Sequence, residues 1–253
     1  QVAPYLTQAG GSDMLRVFDF VDVDSDKWRQ YAARQSFPMS WVYRREASLL
    51  AAAEARLASE ADVTLFVSEP EASLFRARTG LSDERVISIG NGVDLGQFDP
   101  ANPVANPYGH RNPSGRMVFT GAMDYWANAD AVSWFAKEIL PLVRQGRPEA
   151  EFYICGANPL PEVRALASEP GVVVTGRVED IRGYVRYADV CVAPLQIARG
   201  IQNKILEAMA SARPVVCTPQ AFEGIDAEPK RDICVAAGAE DFAAQVLALL
   251  SDP

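Results

Sequence analysis

Residues 199–216, RGIQNKILEAMASARPVV, are the part of the chain whose residue types and spacing best suit chemistry. Ile201, Ile205, Leu206, Met209 and Ala210 recur at helical spacing and form one apolar face, so a helix is expected over 201–212 with Gly200 at its start. The first N–H groups of a helix have no partner within it. They point outward with the positive end of the dipole, which suits an anion. Arg199 and Lys204 add positive charge at that end, with Ile201 and Gln202 between them. Lys204 and Glu207 are three residues apart, and Asn203 and Glu207 four, so all three share a face. Glu207 lies about 6 Å along the axis from Asn203. A phosphate at the helix start would bring a neighbouring ribose to Glu207, whose carboxylate can accept from two hydroxyls. The competing reading is a charge pair on a helix surface.

The elements that must hold this segment form a repeating pattern. Short β-branched runs at 116–120, 151–155, 171–175, 189–193, 214–217 and 232–235 read as strands. Helical patterns fall between them at about 127–144, 159–168, 180–187, 201–212 and 239–250. Strand–helix alternation of this kind implies a parallel sheet with helices on both faces. The continuously apolar strands fit a sheet covered twice. The start of the 201–212 helix then lies at the carboxyl ends of the strands, where ligands bind in such sheets. Residues 99–115 carry four prolines and read as a linker. Before it, 15–21, 63–68 and 85–90 read as strands and 39–60 as a long helix. Ser68 and Glu71 frame a capping box for a further helix, with Pro70 in its first turn. Three strands fall short of a usual doubly wound sheet, and the chain does not open with methionine, so this half is expected to be incomplete. The expected division is a first domain at 1–98, a linker at 99–115 and a second domain at 116–253.

Composition narrows the function. The chain has 253 residues, 49% of them apolar and 23% charged, a globular balance. Its net charge of -9 disfavours nucleic acid, which needs a basic surface. One histidine, His110, argues against a His-based metal site or triad; it lies in the proline-rich stretch and reads as solvated and incidental. Cys155, Cys191, Cys217 and Cys234 each sit in an apolar run without a CxxC, which fits buried reduced thiols and a cytoplasmic protein. No G-x-G-x-x-G follows any strand, which disfavours a dinucleotide-dependent dehydrogenase.

Taken in order, these motifs resemble the GT-B glycosyltransferases of the large retaining family 4 group. ISIGNGVDLGQFDP (87–100) is similar to that group's interdomain signature. VFTGAMDYWANADAVSWF (118–135) is similar to the first strand, glycine turn and helix of its donor domain. ADVCVAPL (188–195) followed by KILEAMASARPVV (204–216) is similar to its donor-binding end. VDVDSDKW (21–28) and ARGIQNK (198–204) resemble most the sugar transferases associated with exopolysaccharide and PEP-CTERM systems. The resemblance implies an α/β fold of two Rossmann-like doubly wound domains. The second would bind a UDP- or GDP-linked sugar, and the first a glycan or lipid-linked glycan acceptor. No cofactor is expected, and no metal if the helix start, Arg199 and Lys204 neutralise the leaving diphosphate. The basic pair Arg44 and Arg45 could approach anionic lipid, though two charges are too few to read as membrane binding, so the expected place is cytoplasmic with peripheral contact at the inner face of the plasma membrane.

Carried over residue by residue, Glu207 matches the second glutamate of the E-x7-E motif, which binds the donor ribose. The first glutamate would fall at 199, where this chain has Arg199. The bases usual after the first donor-domain strand are missing from GAMDYWAN (121–128). Arg199 and Lys204 are therefore expected to clamp the pyrophosphate from elsewhere, with Gly121 admitting it to the backbone. The implied donor set is Gly121, Asp124, Val178, Arg199, Gly200, Ile201, Gln202, Asn203, Lys204 and Glu207. Val178 follows the strand against which the base would lie, and Asp180 reads as a helix cap. Asp22 and Asp24 stand where many relatives carry an active-site histidine. They are the catalytic candidates, able to orient an acceptor hydroxyl or take its proton; helix capping by Asp24 or Ser25 is the alternative. Trp28, Trp41, Tyr43 and Trp126 read as packing residues rather than sugar-stacking platforms, with Trp126 the exception to watch because it follows the donor-site turn. The rival functions are a nucleotide-sugar epimerase and a catalytically idle nucleotide-sugar-binding protein.

Overall fold

In the computed structural model, residues 14–109 and 115–251 are described; the expectation for His110 lies outside them. The chain divides into two compact units. One holds the residues up to Asn91 together with Arg199–Ile201, and the other holds Gly92–Ala198 and the residues from Gln202 on.

The first unit runs β1 (Val17–Val21), α1 (Asp24–Arg34), α2 (Met39–Glu60), β2 (Val63–Phe66), α3 (Glu69–Thr79) and β3 (Val86–Ser88). Its three strands form a parallel sheet in the order β1-β2-β3. Val23, Ala58, Phe66, Ala72, Phe75 and Val86 make its core, with Phe20, Leu74 and Leu81 against it. Helix α3 starts at Ser68, whose hydroxyl accepts from the Glu71 N–H at 3.4 Å, and stops at Gly80, a left-handed residue at φ 73°. Only half of the expected capping box forms. The Glu71 carboxylate turns away from Ser68 and accepts from the Val23 N–H at 2.6 Å. Helix α1 is a finding of the structure. Its cap position is Val23, with no side-chain cap, so neither Asp24 nor Ser25 caps it; Asp24 and Asp26 sit in its first turn, where the dipole favours them. Trp28 packs edge-on to Tyr31 and Tyr43. Trp41 differs from the packing expectation and is 60% exposed.

The second unit carries β4 (Arg116–Thr120), then α4 (Trp126–Trp134), which passes through a π-helical turn at Phe135–Ile139 into α5 (Leu140–Gly146). It continues with β5 (Glu151–Cys155), α6 (Pro161–Ala165), β6 (Val172–Gly176), α7 (Ile181–Arg186), β7 (Val190–Ala193) and α8 (Asn203–Ala210). It ends with β8 (Val215–Cys217), α9 (Pro219–Phe222), β9 (Cys234–Val235) and α10 (Ala239–Ser251). Its parallel sheet has the order β6-β5-β4-β7-β8-β9. Every residue of β4, β7 and β8 is buried, as strands covered on both faces must be. Asp180 caps α7, its carboxylate accepting from the Arg182 N–H at 2.9 Å.

The stretch expected as a linker differs in the structure, because its described residues up to 109 belong to the second unit. Tyr108 is buried with its ring edge-on to Tyr153 and Tyr184, and its hydroxyl donates to the Tyr184 carbonyl at 2.6 Å. The Tyr187 hydroxyl donates to the Val104 carbonyl at 3.1 Å. The line between the units falls at Asn91/Gly92 rather than at 98/99. Cys155, Cys191 and Cys217 are buried, Cys234 is partly so, and all four are free thiols. Burial pushes Cys155, Cys191 and Cys217 up to about 12.

Candidate functional site

The sheet of the second unit grows from β4 in one direction through β5 and β6, and in the other through β7, β8 and β9. Such a reversal leaves a crevice outside the carboxyl ends of the two strands that flank it, here β4 and β7. The turn that leaves β4 begins at Gly121 and is held tightly. The Gly121 N–H donates to the Cys155 carbonyl at 3.1 Å, and the Met123 N–H to the Ala157 carbonyl at 2.9 Å. Gly156 must lack a side chain, because a Cβ there would fall on the Gly121 carbonyl oxygen.

Asn128, in the first turn of α4, fills the space left open by Gly121. A Cβ on Gly121 would lie 2.7 Å from the Asn128 Nδ2. That Nδ2 donates to the Ala122 carbonyl at 2.9 Å, and the Asn128 Oδ1 accepts from Lys204 Nζ at 2.9 Å. The Lys204 ammonium also lies 4.2 Å from the centre of the Phe119 ring, a cation–π contact. Helix α8 thus delivers its cation to the first turn of the unit. Burial pushes the Lys204 pKa down to about 7, opposed by the Glu207 carboxylate. Burial likewise raises the Glu207 pKa, with Lys204 pulling it back. Glu207 is half-buried one turn further along α8.

The other expected donor residues divide. Asp124 accepts from the Asn158 Nδ2 at 3.1 Å on the exposed side of the turn. Val178 is half-buried between β6 and α7. Gln202 is the cap position of α8 and Asn203 its exposed first residue, so the helix starts two residues later than expected. Trp126 opens α4 and is 36% exposed. Arg199, Gly200 and Ile201 are grouped with the first unit. The Arg199 guanidinium pairs with Asp26 and, at 3.4 Å, with Glu71 Oε1. Gly200 has φ 65°, and a Cβ there would fall on Asp22 Oδ1. A carboxylate against Gly200 does not welcome an anion. Arg199, expected to clamp a pyrophosphate together with Lys204, pairs with carboxylates of its own unit.

Of the two catalytic candidates, Asp24 is exposed and paired with Lys27 at 3.0 Å. Asp22 is more enclosed. Its Oδ1 is buried with no hydrogen-bond partner, its Oδ2 lies 3.8 Å from Lys27, and burial raises its pKa, with Lys27 opposing. Asp26 turns to Arg78 and Arg199. Asp22 and Asp24 thus share Lys27, while Asp26 faces the two arginines. Among the described residues no three His, Cys, Asp or Glu side chains gather as a metal site would need. Among the described residues, too, no helix is long and apolar enough to cross a membrane. Asn128 escaped sequence reading. Its one signal was a polar side chain in the run WANADAV, which it shares with Asp130.

Parallel sheets flanked by helices, the larger one with its order reversing at β4, place the chain in the α/β class of the GT-B glycosyltransferases. Residues 114–252, more than half of the chain, match the family described as glycosyl transferases group 1, and the chain belongs to that family. Anabaena Alr3699/HepE, solved in complex with UDP and glucose, has a similar fold. The TM-score is 0.67 at 16% identity, over 93% of this chain and 62% of that one. Sucrose-phosphate synthase from Thermosynechococcus elongatus gives 0.73 at 17% identity, over 100% of this chain and 62% of that one. WaaG, a glycosyltransferase involved in lipopolysaccharide biosynthesis, gives 0.71 at 15%, over 99% and 72%. The chain thus spans 62% of the length of the first two. No curated protein sequence matches it.

Proposed function

We propose that the chain moves a sugar from a nucleotide-sugar donor to an acceptor hydroxyl with retention of anomeric configuration. The second unit takes the donor, UDP- or GDP-linked. The first takes a glycan or lipid-linked glycan in bacterial exopolysaccharide or other cell-surface synthesis, on the cytoplasmic side of the membrane with peripheral contact to it. One observation carries this reading: Lys204 reaches the Gly121–Ala122 turn through Asn128, with Glu207 one turn along the same helix. A diphosphate at that turn meets the Lys204 charge held there by Asn128. The ribose of the same nucleotide meets Glu207, and the base lies toward Val178. As the bond to the sugar breaks, negative charge grows on the leaving diphosphate, and a cation fixed in a dry setting stabilises it most. Lys204 supplies that charge in this reading, with no metal or cofactor. Asp22 is the group proposed to orient the acceptor hydroxyl, because its buried Oδ1 lacks a hydrogen-bond donor.

Calorimetric titration with UDP, GDP and ADP tests this. One nucleotide should bind, and Glu207→Ala should weaken it by about tenfold or more, the loss of about 1.4 kcal/mol. Binding of none of the three overturns the reading. Product analysis with the matching nucleotide sugar then separates transfer from epimerisation.

A further inference from the structure

Asn128 has two partners of opposite demand. The Ala122 carbonyl can only accept, so Nδ2 must face it; the Lys204 ammonium can only donate, so Oδ1 must face it. The flipped amide would set oxygen against oxygen and N–H against ammonium. Asn128 is 6% exposed, and its amide occupies the space that Gly121 leaves open, so it has no second place to go. We propose that Asn128 is a positioning residue of the donor site, pinning the Lys204 ammonium at the Gly121–Ala122 turn and setting how much charge a bound nucleotide diphosphate meets there. This rests on the donor-site reading above.

The surroundings of Lys204 explain why a neutral partner matters. Glu207, on its own helix, is the charged group that acts on it. Lys204 lines a small void with Val118, Thr120, Cys191, Val192, Ala193 and Val215, and the Cys191 thiol, pushed up to about 12, is neutral there. Phe119 closes the other side. A carboxylate at 128 would hold the proton on Lys204, whereas an apolar side chain would drive it off. The neutral amide leaves the ammonium half-charged near pH 7, where burial has put it.

The test is a pH titration of the full chain with lysine 13Cε labelled. There are four lysines, and Lys204→Met identifies the resonance of interest. Asn128→Asp should raise the Lys204 midpoint by about one pH unit, and Asn128→Leu should lower it; either variant alone suffices if the other fails to fold. UDP and GDP affinities are measured at pH 6.5 and 8.5 alongside. The wild-type affinity should fall by about tenfold between them as Lys204 loses its proton, while Asn128→Asp stays flat. A Lys204 midpoint unchanged in the variants, with nucleotide still bound, refutes the role of Asn128 alone. A midpoint that moves while neither nucleotide binds refutes the donor-site reading, and the proposed role falls with it.

Discussion

Two charged groups, Asp26 in the first unit and Lys204 in the second, are held in opposite ways. Around Asp26, charges are answered by charges. Asp26 meets Arg78 and Arg199, and Arg199 also meets Glu71, which accepts from the Val23 N–H as well. Interactions with Arg78 and Arg199, together with a hydrogen bond from Gln30, hold the Asp26 carboxyl below its ordinary range, although burial alone would raise it. In the second unit a single ammonium, Lys204, rests on a neutral amide and an aromatic face, and burial wins. An ion pair of this kind fixes structure. A cation held by neutral groups keeps its charge available and adjustable.

The largest way to break this contrast is Glu71→Ala. It removes an acceptor that is 1% exposed and leaves both Arg199 and the Val23 N–H short of a partner. Breaking a buried pair from one side should cost about 3 kcal/mol, seen as a lower midpoint in chemical denaturation. Lys204→Met should act in the other direction. The folded pKa of Lys204, about 7, lies below its ordinary 10.5, so between these values the folded chain holds fewer protons than the unfolded one. Stability therefore rises with pH through that window. The variant should lose most of that rise, about 3 kcal/mol, measured as the difference from wild type at pH 7 and pH 10. Its nucleotide affinity should fall as well. Asp22→Asn is the smallest. Asp22 has a folded pKa above its ordinary value, so its ionised form weakens the fold at neutral pH. The amide should be the more stable at pH 7, by a margin that shrinks as pH falls and the wild-type carboxyl protonates in the folded state. If Asp22 holds the acceptor, transfer should drop while stability rises.

Much of the second unit was legible because a strand covered on both faces reads as an unbroken apolar run. MVFT in β4, VCVA in β7 and VVC in β8 leave little else to expect. Helix α1 was not legible in that way. DSDKWRQYAAR has no wide apolar stripe, and the residues it buries are Ser25, Asp26 and Ala32. Polar contacts hold its first turn: the Ser25 N–H donates to Glu54 at 3.0 Å, and Asp26 pairs with arginines. Hydrophobic periodicity is blind to such a helix. The dense prolines before β4 suggested a linker, since a tyrosine hydroxyl bound 76 residues away leaves no local sign. The candidate site divides in the same manner. Lys204 and Glu207 share a face that spacing alone reveals. Arg199 is their neighbour in sequence, yet it bonds Asp26, 173 residues off, while Asn128 reaches Lys204 across 76.

All four cysteines belong to the second unit, on strands β5, β7, β8 and β9, and the first unit has none. Thiols that are buried and hold their protons react slowly with alkylating reagents until the strands around them open. The rate at which a maleimide consumes Cys155, Cys191 and Cys217, as distinct from the partly buried Cys234, is thus a clock for opening of the larger sheet, and it is silent on the smaller one. The wild-type chain carries a reporter of where unfolding begins, with no engineered probe.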